Sequence, residues 1–323
     1  MIGTSRRALL AMTGAAMVMP SVAQGATDGE EVLALWPMGL PGGRPAPPLV
    51  ERVDDQAHPP APPDRFITGV SQPRLVVYRP ARPNGAAVLL MPGGGYGFLS
   101  YDNEGVTQAR WLNALGITAF ILLYRLPSEG WADRAVVPLQ DAQRAIRLIR
   151  SHAARLSVRP DRVAVLGFSA GGHLAGSLAT RHAEPVYTAV DAADTLSARP
   201  DLAGLLYPVV SLSAPFTHAG SRDNLLGASA SAEARRQGSV ELRVDGATSP
   251  CFIAHAGDDG LVPVANSLAL YAALNGALRP AELHVFNRGG HGFGVRPVPP
   301  EPAAAWPSLF HAFGASLGIF PAV

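Results

Sequence analysis

Short apolar segments alternate with longer amphipathic ones from residue 75 almost to the end of the chain. The apolar segments are predicted as strands, and the segments with apolar residues at helical spacing are predicted as helices. The predicted strands are Leu75–Tyr78, Ala87–Met91, Thr118–Tyr124, Val163–Gly167, Leu202–Val210, Phe252–His255 and Leu283–Phe286. The predicted helices are Gly105–Leu115, Pro138–Leu156, Gly171–His182, Val264–Gly276 and Ala303–Leu317. Alternation of this kind predicts an α/β protein with a mostly parallel central sheet and helices on both faces.

Two segments depart from this alternation. Pro37 to Pro63 is dense in proline and glycine, so no regular element is expected there, and we interpret residues 24–73 as an extended arm before one domain at 74–323. Ser213 to Thr248 is polar and contains glycines. We expect a cap-like insertion near 213–248 over the carboxyl edge of the sheet, where open α/β sheets bind ligands.

Residues 1–23 have the order of an export signal. Arg6-Arg7 precedes a mildly apolar run, and Ser21-Val22-Ala23 is a small-residue cleavage site. Paired arginines in this position are typical of the twin-arginine signal, whose cargo crosses the membrane folded. A membrane anchor is the alternative, but a spanning helix needs about 20 strongly apolar residues, and the run at 8–19 is short and rich in Ala and Gly. We expect a periplasmic or secreted protein without a stable membrane anchor.

Composition narrows the classes of partner. The 323 residues are 48% apolar, which is ample for a large core. Without Arg6 and Arg7 there are 24 basic and 25 acidic side chains, and no Lys/Arg run occurs, so we expect no nucleic-acid partner. Cys251 is the only cysteine, which excludes an intrachain disulfide and a thiolate cluster within one chain.

A nucleophile elbow is predicted around Ser169. Residues 162–166 form a strand, 167–171 read G-x-S-x-G, and a helix begins at 172. In this order a strained turn lifts the serine hydroxyl above the sheet, and the glycines allow neighbouring backbone to approach. The G-x-S-x-G alone would be a weak signal, but the flanking strand and helix make it specific.

A serine hydroxyl needs a base, and the base needs an orienting carboxylate. In proteins with a nucleophile elbow of this kind, the acid and then the histidine follow the serine along the chain. Asp258 and Asp259 lie on the loop after the predicted strand at 252–255, and the residues alone leave the choice between them open. His291 lies between glycines after the last predicted strand. We predict His291 as the base.

A glycine run supplies candidate donors for an oxyanion. Gly93, Gly94 and Gly95 follow the predicted strand at 87–91, where hydrolases of this type carry an HGGG-type loop, and the loop acts with the amide after the nucleophile, here Ala170. A phosphate-binding loop is the alternative, but the chain has no G-K-[ST] and no G-x-G-x-x-G at a strand-to-helix turn.

These motifs together resemble the α/β-hydrolase superfamily, and within it the bacterial group of acetyl esterases and acetylxylan esterases. The motifs are PGGGY at 92–96, GFSAGGHLA at 167–175, GDDGLVPVANSLALYAAL at 257–274 and AELHVFNRGGHGFG at 281–294. The resemblance implies Asp259 as the acid, four residues before Pro263, with Asp258 as the fallback, and it places the oxyanion amides on Gly94, Gly95 and Ala170. One departure is Pro92, where the common motif has a histidine that braces the loop.

The resemblance and the export signal imply an exported serine esterase for short acyl groups, acetyl above all. Its substrate is expected to be a small-molecule or oligosaccharide ester, with acetylated xylan or its fragments as one candidate. Tyr96 is predicted as a substrate-binding residue, because Tyr96 and Phe98 follow the oxyanion loop and could close the acyl pocket. No metal motif occurs, so neither a metal nor another cofactor is expected.

Two other classes of function stay open. One is a serine peptidase of the prolyl-oligopeptidase type or a formamidase on the same scaffold, although such a peptidase normally carries a large extra domain. The other is a non-enzymatic receptor or adhesion protein with this fold. Those proteins typically lose a member of the triad, whereas all three candidates are present here.

Overall fold

The computed structural model describes residues 31–58 and 60–322. The strands in this part of the chain are β1 (Glu31–Ala34), β2 (Arg52–Asp55), β3 (Arg65–Thr68), β4 (Arg74–Tyr78), β5 (Gly85–Met91), β6 (Leu99–Ser100), β7 (Thr118–Leu123), β8 (Val158–Phe168), β9 (Leu202–Leu206), β10 (Cys251–Ala256) and β11 (Ala281–Phe286). The α-helices are α1 (Thr107–Ala114), α2 (Val137–Ser151), α3 (Ala153–Leu156), α4 (Ala170–Arg181), α5 (Ala219–Leu226), α6 (Ala232–Gly238), α7 (Ala265–Gly276) and α8 (Trp306–Ser316). A π-helical turn at Asp102–Val106 leads into α1.

A central sheet of eight strands has the order β1-β4-β7-β5-β8-β9-β10-β11. The pairs from β7 to β11 are all parallel, and only β1 and β4 at one edge pair antiparallel with their neighbours. The predicted mostly parallel sheet is therefore confirmed. All seven predicted strands and all five predicted helices have counterparts, with ends shifted by a few residues.

Helices cover both faces of the sheet, as adjacent residues of β9 demonstrate. A Cβ placed on Gly204 would lie 2.7 Å from the ring of Phe310 in α8. The side chain of the next residue, Leu205, lies 3.1 Å from the position that a Cβ on Gly176 in α4 would take. Successive side chains of a strand point to opposite faces. Helices α8 and α4 therefore lie on opposite sides of the sheet.

The predicted strand Leu202–Val210 is too long, because β9 ends at Leu206. Tyr207 has a φ of +37°, in the left-handed region that a non-glycine residue rarely adopts, and Pro208 follows it. The backbone therefore leaves the sheet at Tyr207. This departure brings the tyrosine to the carboxyl edge of the sheet, where the candidate site lies.

The prediction of an arm without regular structure is wrong in part. Strand β2 lies inside the segment from Pro37 to Pro63 and pairs with β3, which in turn pairs with β6 to form a second, three-stranded antiparallel sheet. Residues 52–55 contain no proline, so their amides can join a ladder. Strand β1 pairs with β4. The central sheet therefore begins well before residue 74.

A buried ion pair fastens the N-terminal segment to the core. The side chains of Arg125 and Asp141 are both fully buried, and Arg125 Nη2 lies 2.8 Å from Asp141 Oδ1. Trp36 Nε1 donates to the same oxygen at 2.7 Å, and Arg125 Nη1 donates to the carbonyl of Pro41 at 3.0 Å. A buried charge is tolerated when it is paired and its remaining hydrogen bonds are made. Residues 31–51, before β2, therefore belong to the folded unit.

The segment at 213–248 carries α5 and α6 and lies beside the loop that follows β5. Asn224 Nδ2 in α5 donates to the carbonyl of Gly95 at 2.9 Å. A second contact joins this segment to α4, where His173 Nε2 lies 2.8 Å from the carbonyl of Gly238 at the end of α6. Within the described residues, no helix is long and apolar enough to cross a membrane.

Candidate active site

Ser169 lies in a sharp turn between β8 and α4. Its φ of +52° and ψ of −117° are strained for a residue with a side chain, and the turn is held by hydrogen bonds on both sides. Its amide donates to the carbonyl of Leu206 at 3.0 Å, and its carbonyl accepts from the amides of His173 and Val209, each at 3.1 Å. These bonds stabilise the predicted elbow geometry.

Glycine is required beside this turn because backbone segments approach closely. A Cβ on Gly171 would lie 2.0 Å from the carbonyl oxygen of Met91, and one on Gly93 would lie 2.9 Å from the Cβ of Ser169. Real Cβ atoms do not come so near to another heavy atom. The end of β5 and the loop after it can therefore reach Ser169 only because these positions are glycine.

His291 and Asp259 join Ser169 in one hydrogen-bonded chain. Ser169 Oγ lies 2.9 Å from His291 Nε2, and His291 Nδ1 lies 2.7 Å from Asp259 Oδ2. A carboxylate only accepts, so the proton of the neutral imidazole is assigned to Nδ1, and Nε2 is free to accept from the serine hydroxyl. This tautomer is the one that a base for Ser169 needs.

The geometry separates the two adjacent carboxylates. Asp259 is 8% exposed and contacts His291, whereas Asp258 is exposed and accepts from the amide of Gly290 at 2.8 Å. Asp258 therefore holds the backbone of the loop that carries His291, and only Asp259 reaches the imidazole ring.

Asp259 is fully satisfied by four donors. Its Oδ1 accepts from the amides of Leu261 and Val262, both at 2.9 Å, and its Oδ2 accepts from His291 and, at 3.2 Å, from His255. Burial raises the pKa of Asp259, but the hydrogen bonds from His255, His291 and the Val262 amide outweigh it, so the pKa lies well below its usual range. The group stays a carboxylate at any pH at which the protein is assayed.

A second histidine therefore contacts Asp259. His255 is fully buried at the end of β10, with Nε2 2.9 Å from the carbonyl of Val262 and Nδ1 2.7 Å from Ser267 Oγ. The carbonyl only accepts, so His255 Nε2 carries a proton and can donate to Asp259 as well. Two Ser–His pairs, one accessible and one buried, thus converge on the same carboxylate oxygen.

The loop that carries Gly94 and Gly95 starts at Gly93, whose Cβ position lies 2.9 Å from Ser169 Cβ, and Ala170 directly follows Ser169. Gly94 and Gly95 have φ of +115° and +62°, conformations that glycine adopts without strain. The Gly94 carbonyl accepts from the amides of Gly97 and Phe98 at 2.9 and 3.2 Å, which closes the loop into a turn. Across residues 31–58 and 60–322, none of the three predicted oxyanion amides has a hydrogen-bond acceptor.

Other groups brace the loop where Pro92 replaces the usual histidine. Tyr124 donates its hydroxyl to the Pro92 carbonyl at 2.8 Å, and the amide of Gly93 donates to Oε2 of the buried Glu104 at 2.8 Å. Burial raises the pKa of Glu104, opposed by this bond and by a bond from Tyr207. Glu104 belongs to the π-helical turn before α1, and π turns often occur at functional sites.

Tyr207 connects the oxyanion loop with the histidine loop. Its hydroxyl donates to Glu104 Oε1 at 3.0 Å and accepts from the amide of Gly294 at 3.2 Å. Its ring packs edge-on against His291, with the centroids 5.0 Å apart. Asn103 Nδ2 adds a bond to the carbonyl of Gly292 at 3.0 Å. The loops that carry the donors and the base are therefore held by one buried network.

The prediction that Tyr96 binds substrate is not supported, because the side chain is 1% exposed. Its hydroxyl lies 2.9 Å from His173 Nδ1, and His173 Nε2 faces the Gly238 carbonyl, so His173 accepts from Tyr96 and donates to Gly238. Burial lowers the pKa of His173 to about 4, which keeps it neutral. Phe98 is half-buried and stacks on Phe66 with centroids 4.2 Å apart. Of the two aromatic residues, Phe98 alone presents a surface.

Several residues of this site were not predicted. His255, Glu104 and Tyr207 lie at strand ends or beside the predicted motifs, but no short motif marks them. His255 and Tyr207 are polar groups at the ends of apolar strands, and this is a sequence signal that points to them, whereas Glu104 lies in a polar segment that gives no such signal. Within the described ranges, no group of three His, Cys, Asp or Glu side chains is arranged to hold a metal ion.

Comparison with known sequences identifies the family and its named relatives. The profile of the BD-FAE family matches residues 75–274. The acetylxylan esterase of Xylanibacter ruminicola is 34% identical over 225 residues, which are 68% of this chain and 44% of that protein. Endo-1,4-beta-xylanase B of Butyrivibrio fibrisolvens is 36% identical over 208 residues, which are 64% of this chain and 32% of that protein. The chain thus spans less than half the length of these curated relatives.

Two solved structures have a fold similar to that of this chain. The acetyl ester-xyloside bifunctional hydrolase of Caldicellulosiruptor lactoaceticus is similar with a TM-score of 0.70 and 37% identity, over 77% of this chain and 89% of that chain. The carboxylesterase Cest-2923 of Lactobacillus plantarum WCFS1 has a TM-score of 0.62 at 22% identity, over 85% of this chain and 99% of that chain, and shows the fold alone.

The sheet order, the elbow and these structural neighbours define an α/β hydrolase, which confirms the predicted fold. Within that class the chain belongs to the BD-FAE family, since the family profile covers more than half of it. The resemblance to the acetylxylan esterase group is confirmed as well.

The contact between His255 and Asp259 yields a prediction about turnover. We expect His255→Phe to lower kcat roughly 10-fold or more and to leave KM within about 2-fold, because the role predicted for Asp259 is to orient His291 and not to bind the substrate. His255→Gln should recover most of kcat, since its amide can still donate to Asp259 Oδ2. Steady-state kinetics with an aryl acetate measure both constants.

His284→Phe is the matched control, because it removes a histidine from the neighbouring strand β11 that bonds only to Glu282. Its kcat should equal that of the unmodified protein. If His255→Gln were as impaired as His255→Phe at equal thermal stability, the donor role of His255 would be wrong.

Proposed function

We propose that this protein is a serine carboxylic-ester hydrolase. Ser169 is the nucleophile, His291 is the general base and acid, and Asp259 orients the histidine. One observation carries the proposal: Ser169 Oγ, His291 and Asp259 form an unbroken chain with distances of 2.9 and 2.7 Å beside amides that have no acceptor in the described part of the chain. This constellation suits acyl transfer.

The reaction proceeds in two balanced steps. Ser169 Oγ attacks the ester carbonyl carbon while His291 Nε2 takes the hydroxyl proton, and the same proton then passes to the alkoxy oxygen of the leaving alcohol. Water attacks the acyl-Ser169 next, again losing its proton to His291. Serine leaves with that proton, and the carboxylic acid is released. Asp259 remains ionised throughout and stabilises the imidazolium of His291.

The negative charge of each tetrahedral intermediate is assigned to the amides of Gly94, Gly95 and Ala170. Donors of this kind stabilise the transition state because they are oriented before the charge develops. The bonds that Glu104 and Tyr124 make behind the loop support that orientation. Removing one donor of such a hole typically costs roughly 100- to 1000-fold in kcat.

The substrate class is proposed to be short acyl esters, acetyl above all, of an oligosaccharide or another small molecule, with acetylated xylan as the leading candidate. Support comes from relatives that are named acetylxylan esterase and acetyl ester-xyloside hydrolase. Phe98, half-buried beside Gly94, could close the acyl pocket. Amide hydrolysis by a peptidase or a formamidase is the alternative. A comparison of ester and amide substrates distinguishes the two activities.

A panel of acetyl, butyryl and octanoyl aryl esters, acetylated xylan and an aryl amide tests this function. We expect kcat/KM to be highest for acetyl esters and to fall with chain length, with release of acetate from xylan and negligible cleavage of the amide. A higher kcat/KM for octanoyl than for acetyl esters would contradict the acyl preference. Faster cleavage of the amide than of any ester would contradict the esterase function and indicate a peptidase or a formamidase.

Covalent labelling tests the serine mechanism separately. An organophosphate should inactivate the protein and add to Ser169, as peptide mass spectrometry will detect, and Ser169→Ala should lower kcat by at least about 10⁴-fold. A chelator should have no effect. Ser177→Ala is the control, because Ser177 is a buried serine of the same helix α4 that does not contact His291. A label on any other residue would exclude Ser169 as the nucleophile.

Export by the twin-arginine route is also part of the proposal. Arg6-Arg7 and the run to Ala23 support it, although this segment lies outside the described residues. Replacing both arginines with lysine should trap the precursor in the cytoplasm of the native host, as fractionation and immunoblotting will show. Unchanged periplasmic accumulation would rule out the twin-arginine signal while leaving a general secretory signal open.

A further inference from the structure

His218 stands at the start of α5, in the insertion at 213–248. It is the N-cap of that helix, where its Nδ1 accepts from the amide of Ser221 at 3.3 Å and lies 2.8 Å from Ser221 Oγ. An amide only donates, so Nδ1 is an acceptor and the proton of the neutral ring is assigned to Nε2. The ring is therefore held in one tautomer by its own helix.

The ring of His218 is half-buried and neutral. Burial lowers its pKa, and repulsion from a protonated His291 lowers it further, against a smaller opposing effect of Asp259. In residues 31–58 and 60–322, no acceptor pairs with Nε2, and this nitrogen is not among the fully buried polar atoms that lack a partner, so a bound molecule can reach it. A neutral N–H donor is therefore available beside the loop that carries Gly95.

His218 lies directly above the oxyanion loop. A Cβ on Gly95 would lie 4.0 Å from His218 Cε1 and 3.9 Å from Ser221 Oγ, so the ring and the loop face each other across a narrow gap. The gap is fixed on both sides, because Asn224 donates to the Gly95 carbonyl and Arg134 Nη2 donates to the Asn224 carbonyl at 2.6 Å. The position of the imidazole is thus as well defined as that of the loop.

We propose that His218 is a specificity-determining residue that donates a hydrogen bond from Nε2 to an oxygen in the alcohol part of the ester, so that esters of polyhydroxylated alcohols such as sugars are preferred. The inference rests on the proposed esterase function and names the part of the substrate that the insertion recognises. It concerns binding and orientation only, because the proton transfers belong to His291.

Placement of the reacting groups assigns His218 to the alcohol and not to the acyl group. The carbonyl oxygen of the ester faces the amides of Gly94 and Gly95, and the leaving oxygen must face His291, from which it receives its proton. The ring of His218 faces Gly95 of this loop, so we assign the space beside His218 to the alcohol. A sugar presents further hydroxyl oxygens on the carbons next to the one that bears the ester, whereas an ethyl group presents none and a nitrophenyl group has its oxygens only on the far side of the ring.

His218→Asn tests the proposal with the helix cap retained. Asparagine is a good N-cap and keeps an acceptor for the Ser221 amide, but it is too short to place a donor where Nε2 lies. We expect kcat/KM for a methyl O-acetyl-xylopyranoside to fall roughly 3- to 10-fold, the worth of one neutral hydrogen bond. The value for 4-nitrophenyl acetate should stay within about 2-fold. His218→Gln, which keeps a donor at nearly the original distance, should recover the sugar ester.

The ratio of the two kcat/KM values is the decisive readout, because a loss of fold or of triad geometry would lower both substrates equally. Equal losses in His218→Asn, or no loss on either substrate, would overturn the role of His218. Failure of the proposed function gives a different result. An unmodified protein that cleaves 4-nitrophenyl acetate but not the acetylated xyloside would overturn both the sugar-ester substrate and this inference, whatever the variants do.

Discussion

The close approach of three backbone segments around Ser169 is the constraint on which the rest of the site depends. The turn after β8 forces the serine into a left-handed conformation, and the loop after β5 can lie against it only because Gly93 and Gly171 have no side chains. Backbone strain of this kind persists only where the surroundings determine the conformation strongly. Here the surroundings are the parallel strands β5, β8 and β9, which are buried and paired over the segments that lead to the turn, including residues 164–168 of β8.

Hydrogen bonds between buried polar groups hold the loops around Ser169 in addition to the backbone contacts. Asp259 has four donors, and Glu104 receives bonds from the oxyanion loop and from Tyr207, which also bonds to the loop of His291. In a medium of low dielectric constant, an incomplete network of this kind would destabilise the protein, whereas a complete one specifies a single geometry. The same groups that satisfy one another therefore hold Ser169, His291 and Asp259 in one fixed arrangement.

The sheet and the approach of Ser169, His291 and Asp259 to one another could be predicted because each leaves a local signal. Alternating apolar and amphipathic segments mark β4, β5 and β7 to β11, and the glycines around Ser169 and His291 mark turns with special backbone geometry. The short strands β1, β2 and β3 leave little local signal, since their stability comes from partners such as Arg74, which pairs with Glu51 at 2.7 Å. Tyr96 was misjudged for a related reason: its place after the oxyanion loop was correct, but the direction of its side chain depends on the distant His173.

The bond between Asn224 and the Gly95 carbonyl has a thermodynamic consequence. It joins a surface helix to a peptide group of the oxyanion loop, and His173 joins α6 to the helix that begins at the nucleophile. Any fluctuation that lifts the insertion must break these bonds or displace the groups to which they lead. The positions of α5 and α6 are therefore linked to those of the loop after β5 and of α4. Under the proposed function, free energy from substrate contacts with α5 would be shared through these bonds with the loop that carries the proposed oxyanion amides, so substrate affinity and the rate of the chemical step would not vary independently.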